Sequence, residues 1–156
     1  MSALLAAVAL LASTDDHARK THCPEVAISC PPVDPADPPV PCIGAHGEPL
    51  EIEPPRVRTK AEANYPTLPK ALQGIQAKVV LQGTIDVEGN VGDIKNLVCG
   101  LKKGDRSLAG EDERQLCPHF IGAAELAWSR ANYYPALRGN SPVCVLAVMR
   151  FEFVPE

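Results

Sequence analysis

At 156 residues, 46% hydrophobic but only 4% aromatic, and with sixteen prolines, the chain holds apolar material for one core plus an extended segment. Its formal net charge of -4, with Lys and Arg scattered along the chain, provides no basic stripe for a phosphate backbone and no cationic helix face for a membrane surface. Nucleic-acid binding and surface attachment to lipid are therefore not expected.

Residues 1–13 open with an apolar run over residues 3–11. That run is shorter than the roughly 20 residues a bilayer span takes, so it reads as a secretory leader, although no Lys or Arg precedes it. Six cysteines in so short a chain point the same way, to disulfides formed in an oxidising compartment after export. Cys23, Cys30 and Cys42 precede the predicted domain, and Cys99, Cys117 and Cys144 lie within it. If all pair, at least one bridge joins the two parts. Fifteen pairings are possible; the favoured one is Cys99 with Cys117, closing the long connection between the second predicted strand and the helix.

Residues 14–58 form a proline-rich tail with Pro31-Pro32, Pro35, Pro38-Pro39, Pro41, Pro49 and Pro54-Pro55. Proline fixes its own backbone and lacks the N–H that a helix or central strand needs, so this tail is expected to be an extended spacer or strap. Without a repeated PxxP register, a linker is favoured over a recognition segment.

Residues 59–156 carry the predicted domain. Val79, Leu81, Gly83, Ile85 and Val87 alternate with Val80, Gln82, Thr84 and Asp86, which is a half-buried strand. Glu88-Gly89-Asn90 supplies a tight turn, and residues 91–99 return as a second strand with Ile94 and Val98 as its apolar points. Residues 100–116, charged and glycine-bearing, read as an exposed loop. Pro118 suits a first helical turn, and Phe120, Ile121, Ala124, Ala127, Trp128 and Ala131 recur at three- and four-residue steps, giving an amphipathic helix. Trp128 reads as core rather than as a ligand platform, alongside Ile85 and Val79. A third strand over residues 143–154 puts Val143, Val145, Ala147, Met149, Phe151 and Phe153 on one face. Its other face starts apolar with Cys144, Leu146 and Val148 and ends polar with Arg150 and Glu152, as an edge strand does.

The expected fold class is α+β: a small three-stranded antiparallel sheet in β-β-α-β order packed against one amphipathic helix, behind the proline-rich tail. The residues at the joints carry a resemblance. Tyr65-Pro66, Gly83-Thr84-Ile85-Asp86, Gly89-Asn90-Val91, a helix ending in Trp128, Tyr134-Pro135-Ala136 and Gly139-Asn140-Ser141-Pro142-Val143 together resemble the C-terminal domain of the TonB family of energy transducers. The resemblance covers about residues 62–155. It implies a last strand with an open edge, onto which an extended peptide of an outer-membrane or envelope protein adds as a further strand. Carried onto this chain, the docking positions are Val143, Val145, Ala147, Met149 and Phe151. The chain departs from a complete transducer: its leader is short and lacks a histidine, and its proline-rich part is short, acidic and cysteine-bearing. These departures leave coupling to a proton-driven motor open, and the expectation is a periplasmic or secreted binding module, membrane-associated if the true start lies upstream.

No GxSxG elbow, P-loop or HExxH helix is present, and His119 is the domain's single histidine, so the chain is not expected to be an enzyme or to take a cofactor or small-molecule substrate. Cys42 and His46, with Cys23, Cys30 and His22 nearby, set a zinc site as the rival to disulfides; disulfides are preferred and no metal is expected. The alternative to peptide capture is a structural envelope protein whose disulfide-strapped tail covers the same edge.

Overall fold

Burial alternates residue by residue from Ile75 to Gln82 along the first long strand of the computed structural model, which describes Cys23, residues 26–38 and residues 40–156. The leader and His22 lie outside the described residues. In chain order the described elements are β1 (Cys42–Ile43), β2 (Pro49–Leu50), β3 (Arg56–Thr59), a 3-10 turn (Lys70–Leu72), β4 (Ile75–Ile85), β5 (Val91–Lys103), β6 (Arg106–Leu108), α1 (Glu111–Ser129), β7 (Asn132–Tyr134), β8 (Ala136–Arg138), β9 (Ser141–Val143) and β10 (Val145–Phe153). This is a mixed α and β fold with one helix among the described residues and antiparallel sheets. The main sheet has four strands in the order β10-β4-β5-β6, one more than expected.

The extra strand arises where the charged loop was expected. Leu101 pairs with Ala77 and is buried, so β5 runs on to Lys103; a two-residue turn at Gly104-Asp105 then returns the chain as β6. Gly104 has a φ of 58°, which glycine adopts without steric cost. Lys102 and Lys103 are thus exposed strand residues, and Leu108 joins the core.

β5 also departs from strict alternation. Val80 pairs with Val98 and Leu81 with Asn96, so Leu97 is an extra residue; a second irregularity falls between Gln82 and Thr84, near Asp93. Such a bulge shifts the side-chain phase by one residue. Ile94 therefore packs against the core while Val98, of the same parity, is 51% exposed on the opposite face. Val87, expected in the strand, stands in the turn and is exposed.

The helix starts seven residues before Pro118, not at it. Gly110 leads into Glu111, Asp112 and Glu113, acids that suit the positive end of the helix dipole. Pro118 sits in the helix interior, where a lost hydrogen bond and ring crowding cost about 3 kcal/mol. Burial of Leu116, Cys117, Phe120, Ala124, Ala127 and Trp128 along one stripe against the sheet offsets that cost. Tyr65 and Phe153 meet Phe120 edge-on, with ring centres 5.5 and 5.3 Å away.

The proline-rich segment is not a spacer. Cys30, Cys42 and Ile52 belong to the same core cluster as Trp128, and Pro54 and Pro55 are buried. Its backbone bonds run between prolines: Ser29 exchanges bonds with Ile43, Val33 with the Pro55–Val57 stretch, and Glu53 with Leu137. β3 pairs with β7, and β8 with β9 across Gly139-Asn140. One folded body thus spans the expected boundary at residue 58.

Candidate partner-binding edge

β10 is the outermost strand of the main sheet, paired in register with β4 from Val145 opposite Ile85 to Phe153 opposite Ala77. Its free side is partly taken by the chain itself. The Leu146 N–H donates to the Ile28 carbonyl, and the Cys30 N–H donates to the Leu146 carbonyl, each at 2.8 Å. Residues 28–30 therefore form a strap running parallel to β10, held on its other side by Ser29 with Ile43. Pro31 and Pro32 follow at once, and without an N–H they cannot continue the ladder.

Three disulfides fix this arrangement: Cys23–Cys144, Cys30–Cys42 and Cys99–Cys117. Cys23–Cys144 ties the strap to the residue just before β10. Cys30 and Cys42 face each other at a Cα–Cα distance of 4.4 Å, the close approach of a non-hydrogen-bonded antiparallel pair next to the bonded Ser29–Ile43 pair. Cys99–Cys117 joins β5 to α1. With every described cysteine oxidised, Cys23, Cys30 and Cys42 have no thiolate to give a metal, so the zinc rival loses its sulfur ligands.

Leu146 directs both main-chain groups outward, so the two-residue alternation of the ladder also turns Val148, Arg150 and Glu152 outward. No other described segment bonds to them. The open edge is therefore 148–152, shorter than expected.

The expected docking side chains need correction. Val145, Ala147 and Phe151 are buried, Met149 packs partly buried against the core, and Val143 belongs to β9. They face α1 because they share the parity of Val79, Leu81 and Ile85. An added strand would meet the other parity: Val148, 47% exposed, and the exposed Arg150 and Glu152. The polar end of that second face was the sequence signal for them. The cysteines signalled that the tail could strap this edge; that it bonds at Leu146 was not readable, because this depends on contacts between residues more than a hundred positions apart.

Away from the open edge, Gly83, Asp86, Gly89, Asn90 and Trp128 converge with Asn132 and Tyr133 in a structural cluster. Gly83 lies under the Trp128 ring, and the Trp128 Nε1–H donates to the Tyr133 hydroxyl at 3.0 Å. The Tyr133 N–H donates to the Gly89 carbonyl at 3.0 Å, and a Cβ at Gly89 would collide with the Tyr133 carbonyl oxygen. Asp86 Oδ1 accepts from the Glu88 and Asn90 N–H groups at 2.9 and 2.8 Å, closing the turn. Asn132 donates to Asn90 at 3.1 Å. Burial pushes the Tyr133 phenol above its ordinary 10.0, with the Trp128 hydrogen bond acting the other way. Tyr65, which donates to the Ile75 carbonyl at 2.6 Å, is raised by burial in the same sense, against the lowering effect of that bond. Trp128, Ile85 and Val79 are all fully buried, and they build the platform that holds β10 at the sheet edge.

Among the described residues no helix is long and apolar enough to cross a membrane. No known protein family matches the chain, and no curated protein matches it.

Proposed function

We propose that the protein is a non-enzymatic envelope module that takes up an extended peptide of a membrane transport protein as an added strand along residues 148–152 of β10. The observation that carries this reading is the outward main chain of Val148, Arg150 and Glu152, unpaired within the described protein at the rim of a rigid, core-backed sheet. Three disulfides support an exported location, and the resemblance of the joint residues to the TonB C-terminal domain supports a transport-linked partner. The strap bonded to Leu146 favours a second reading, a structural protein in which the tail closes the edge; among the described residues its bonds to β10 stop at that one residue.

Val148→Pro is the test. It removes one outward N–H while the bonds of β10 to β4, made by the alternate residues, remain, a placement that edge strands tolerate. A photo-cross-linker at position 150 is expected to trap a membrane-protein segment in envelope preparations and to lose it in the Val148→Pro chain, with the thermal midpoint unchanged. Equal trapping by both chains would exclude strand addition at this edge.

A further inference from the structure

The open edge is complementary to itself. Along the solvent face β10 presents Val148, Arg150 and Glu152, followed by Val154 just past its end, with Val148 47% and Val154 64% exposed. Arg150 stands beside Val80 and Glu152 beside Lys78 across the sheet, yet among the described residues neither Arg150 nor Glu152 makes an ion pair or a side-chain hydrogen bond. Within the described protein each charge on the rim is left without a partner.

We infer that this edge pairs with the same edge of a second copy of the chain, antiparallel and two-fold symmetric about Phe151. When Phe151 lies opposite its counterpart, the alternation sets Arg150 opposite the Glu152 of the second copy and Glu152 opposite its Arg150. Val148 then stands opposite the Val154 of the second copy, and Val154 opposite its Val148. All of these positions have the parity that directs main-chain groups outward, so the same register forms the ladder and both charge pairs. Neighbouring registers lose this match. Centring on Arg150 opposes two guanidinium groups, and centring on Glu152 opposes two carboxylates. The strap fixes the length, because its bonds to Leu146 stop the ladder from extending beyond Val148. The two four-stranded sheets become one eight-stranded sheet, and the exposed Val148 and Val154 cover each other. The contact is narrow, so the dimer is weak and exchanges readily. A captured peptide and a second copy need the same main-chain groups, so the dimer is the protected form of the edge and peptide binding must displace it.

The experiment is a charge swap on the full-length, oxidised chain, read by sedimentation at about 1 mM, where an interface this small populates a dimer. Arg150→Glu and Glu152→Arg each turn both ion pairs into like-charge pairs, and each is expected to weaken association about tenfold or more. The double variant restores both pairs with reversed polarity and is expected to dimerise as the wild type does. Hydrogen exchange should show the Val148, Arg150 and Glu152 amides protected only in the dimerising chains. A monomeric wild type at that concentration, or single variants that dimerise as well as the wild type, overturns the inference. So does a double variant that stays monomeric with an unchanged thermal midpoint. Trapping of a membrane-protein segment at position 150 is measured separately, so the failure of either idea is visible without the other.

Discussion

The indole of Trp128 rests directly on Gly83: a Cβ at that glycine would stand 3.0 Å from both Cη2 and Cζ3 of the ring and 3.1 Å from the Gly92 carbonyl oxygen. Gly83 is a strand residue with a neighbour opposite on each side, Ala147 on β10 and the bulged stretch of β5. The absence of a side chain there lets the helix carry its largest residue against the sheet.

Gly83→Ala should therefore destabilise the protein by about 1–3 kcal/mol through overpacking. In a Trp128→Phe background, where the outer ring atoms are gone, the same change should cost clearly less. A double-mutant cycle by chemical denaturation measures the coupling, and additive costs would mean that Gly83 is needed for the backbone and not for the ring. Trp128→Ala alone should cost about 3–5 kcal/mol.

Asp86 holds the β4–β5 turn through two N–H groups, those of Glu88 and Asn90. Asp86→Ala leaves both without that acceptor and should cost about 1–3 kcal/mol, whereas Asp86→Asn keeps an acceptor oxygen and should cost less. Since Gly89 of the same turn bonds Tyr133, the Tyr133 amide should exchange faster in the alanine variant. An unchanged Tyr133 amide would show that the turn docks independently of its Asp86 bonds.

Replacing Cys23 and Cys144 together by serine should lower stability by about 2–4 kcal/mol, because that bridge closes a chain segment of 121 residues. The Leu146 and Cys30 amides should lose protection, while amides paired between β4 and β5 keep theirs. Retained protection at Leu146 would mean that the main-chain pairing and the Cys30–Cys42 bridge suffice to seat the strap.

Tyr133 predicts an alkaline limit. Its folded pKa lies above the ordinary 10.0, so the unfolded chain releases the phenolic proton at lower pH than the folded one. The folded state then binds more protons, so the stability that is fully present below about pH 10 is lost as pH rises through the folded value, and this group gives no pH dependence near neutrality. Tyr133→Phe should flatten that alkaline loss. It also removes the acceptor of the Trp128 N–H, so its stability at pH 7 should be lower by about 1–2 kcal/mol. An alkaline loss of the same slope in the variant would assign it to other groups.

Local pattern made much of the fold readable. The alternation from Val79 to Ile85, the turn around Gly89 and the stripe through Phe120, Ala124 and Trp128 each reflect a period set by backbone geometry, and each appears as a strand, a turn or a helix face. The reading failed where a short-range rule met a longer-range gain. Proline suits a first helical turn, so Pro118 reads locally as a helix start, yet burial of Leu116 and Cys117 carries the helix upstream through it. The three residues of β6 carry too little periodicity to mark a strand, and a bulge leaves no mark in composition, so Ile94 and Val98, both apolar points of one strand, end up on opposite faces.

By itself, the sequence determined the helix-on-sheet part of the core, around Val79, Ile85 and Trp128, and the parity of the last strand, since these follow from the short repeats of helix and strand. The tertiary structure alone decided which parity is available to a partner and how much of the edge is open. Val145, Ala147 and Phe151 face inward because α1 covers that side, and Leu146 is occupied because Cys23–Cys144 and the Ser29–Ile43 pair bring a distant strap to it. Contacts between residues so far apart in the chain leave no local periodicity to read, so the open edge from Val148 to Glu152 emerges only once the chain has folded back on itself.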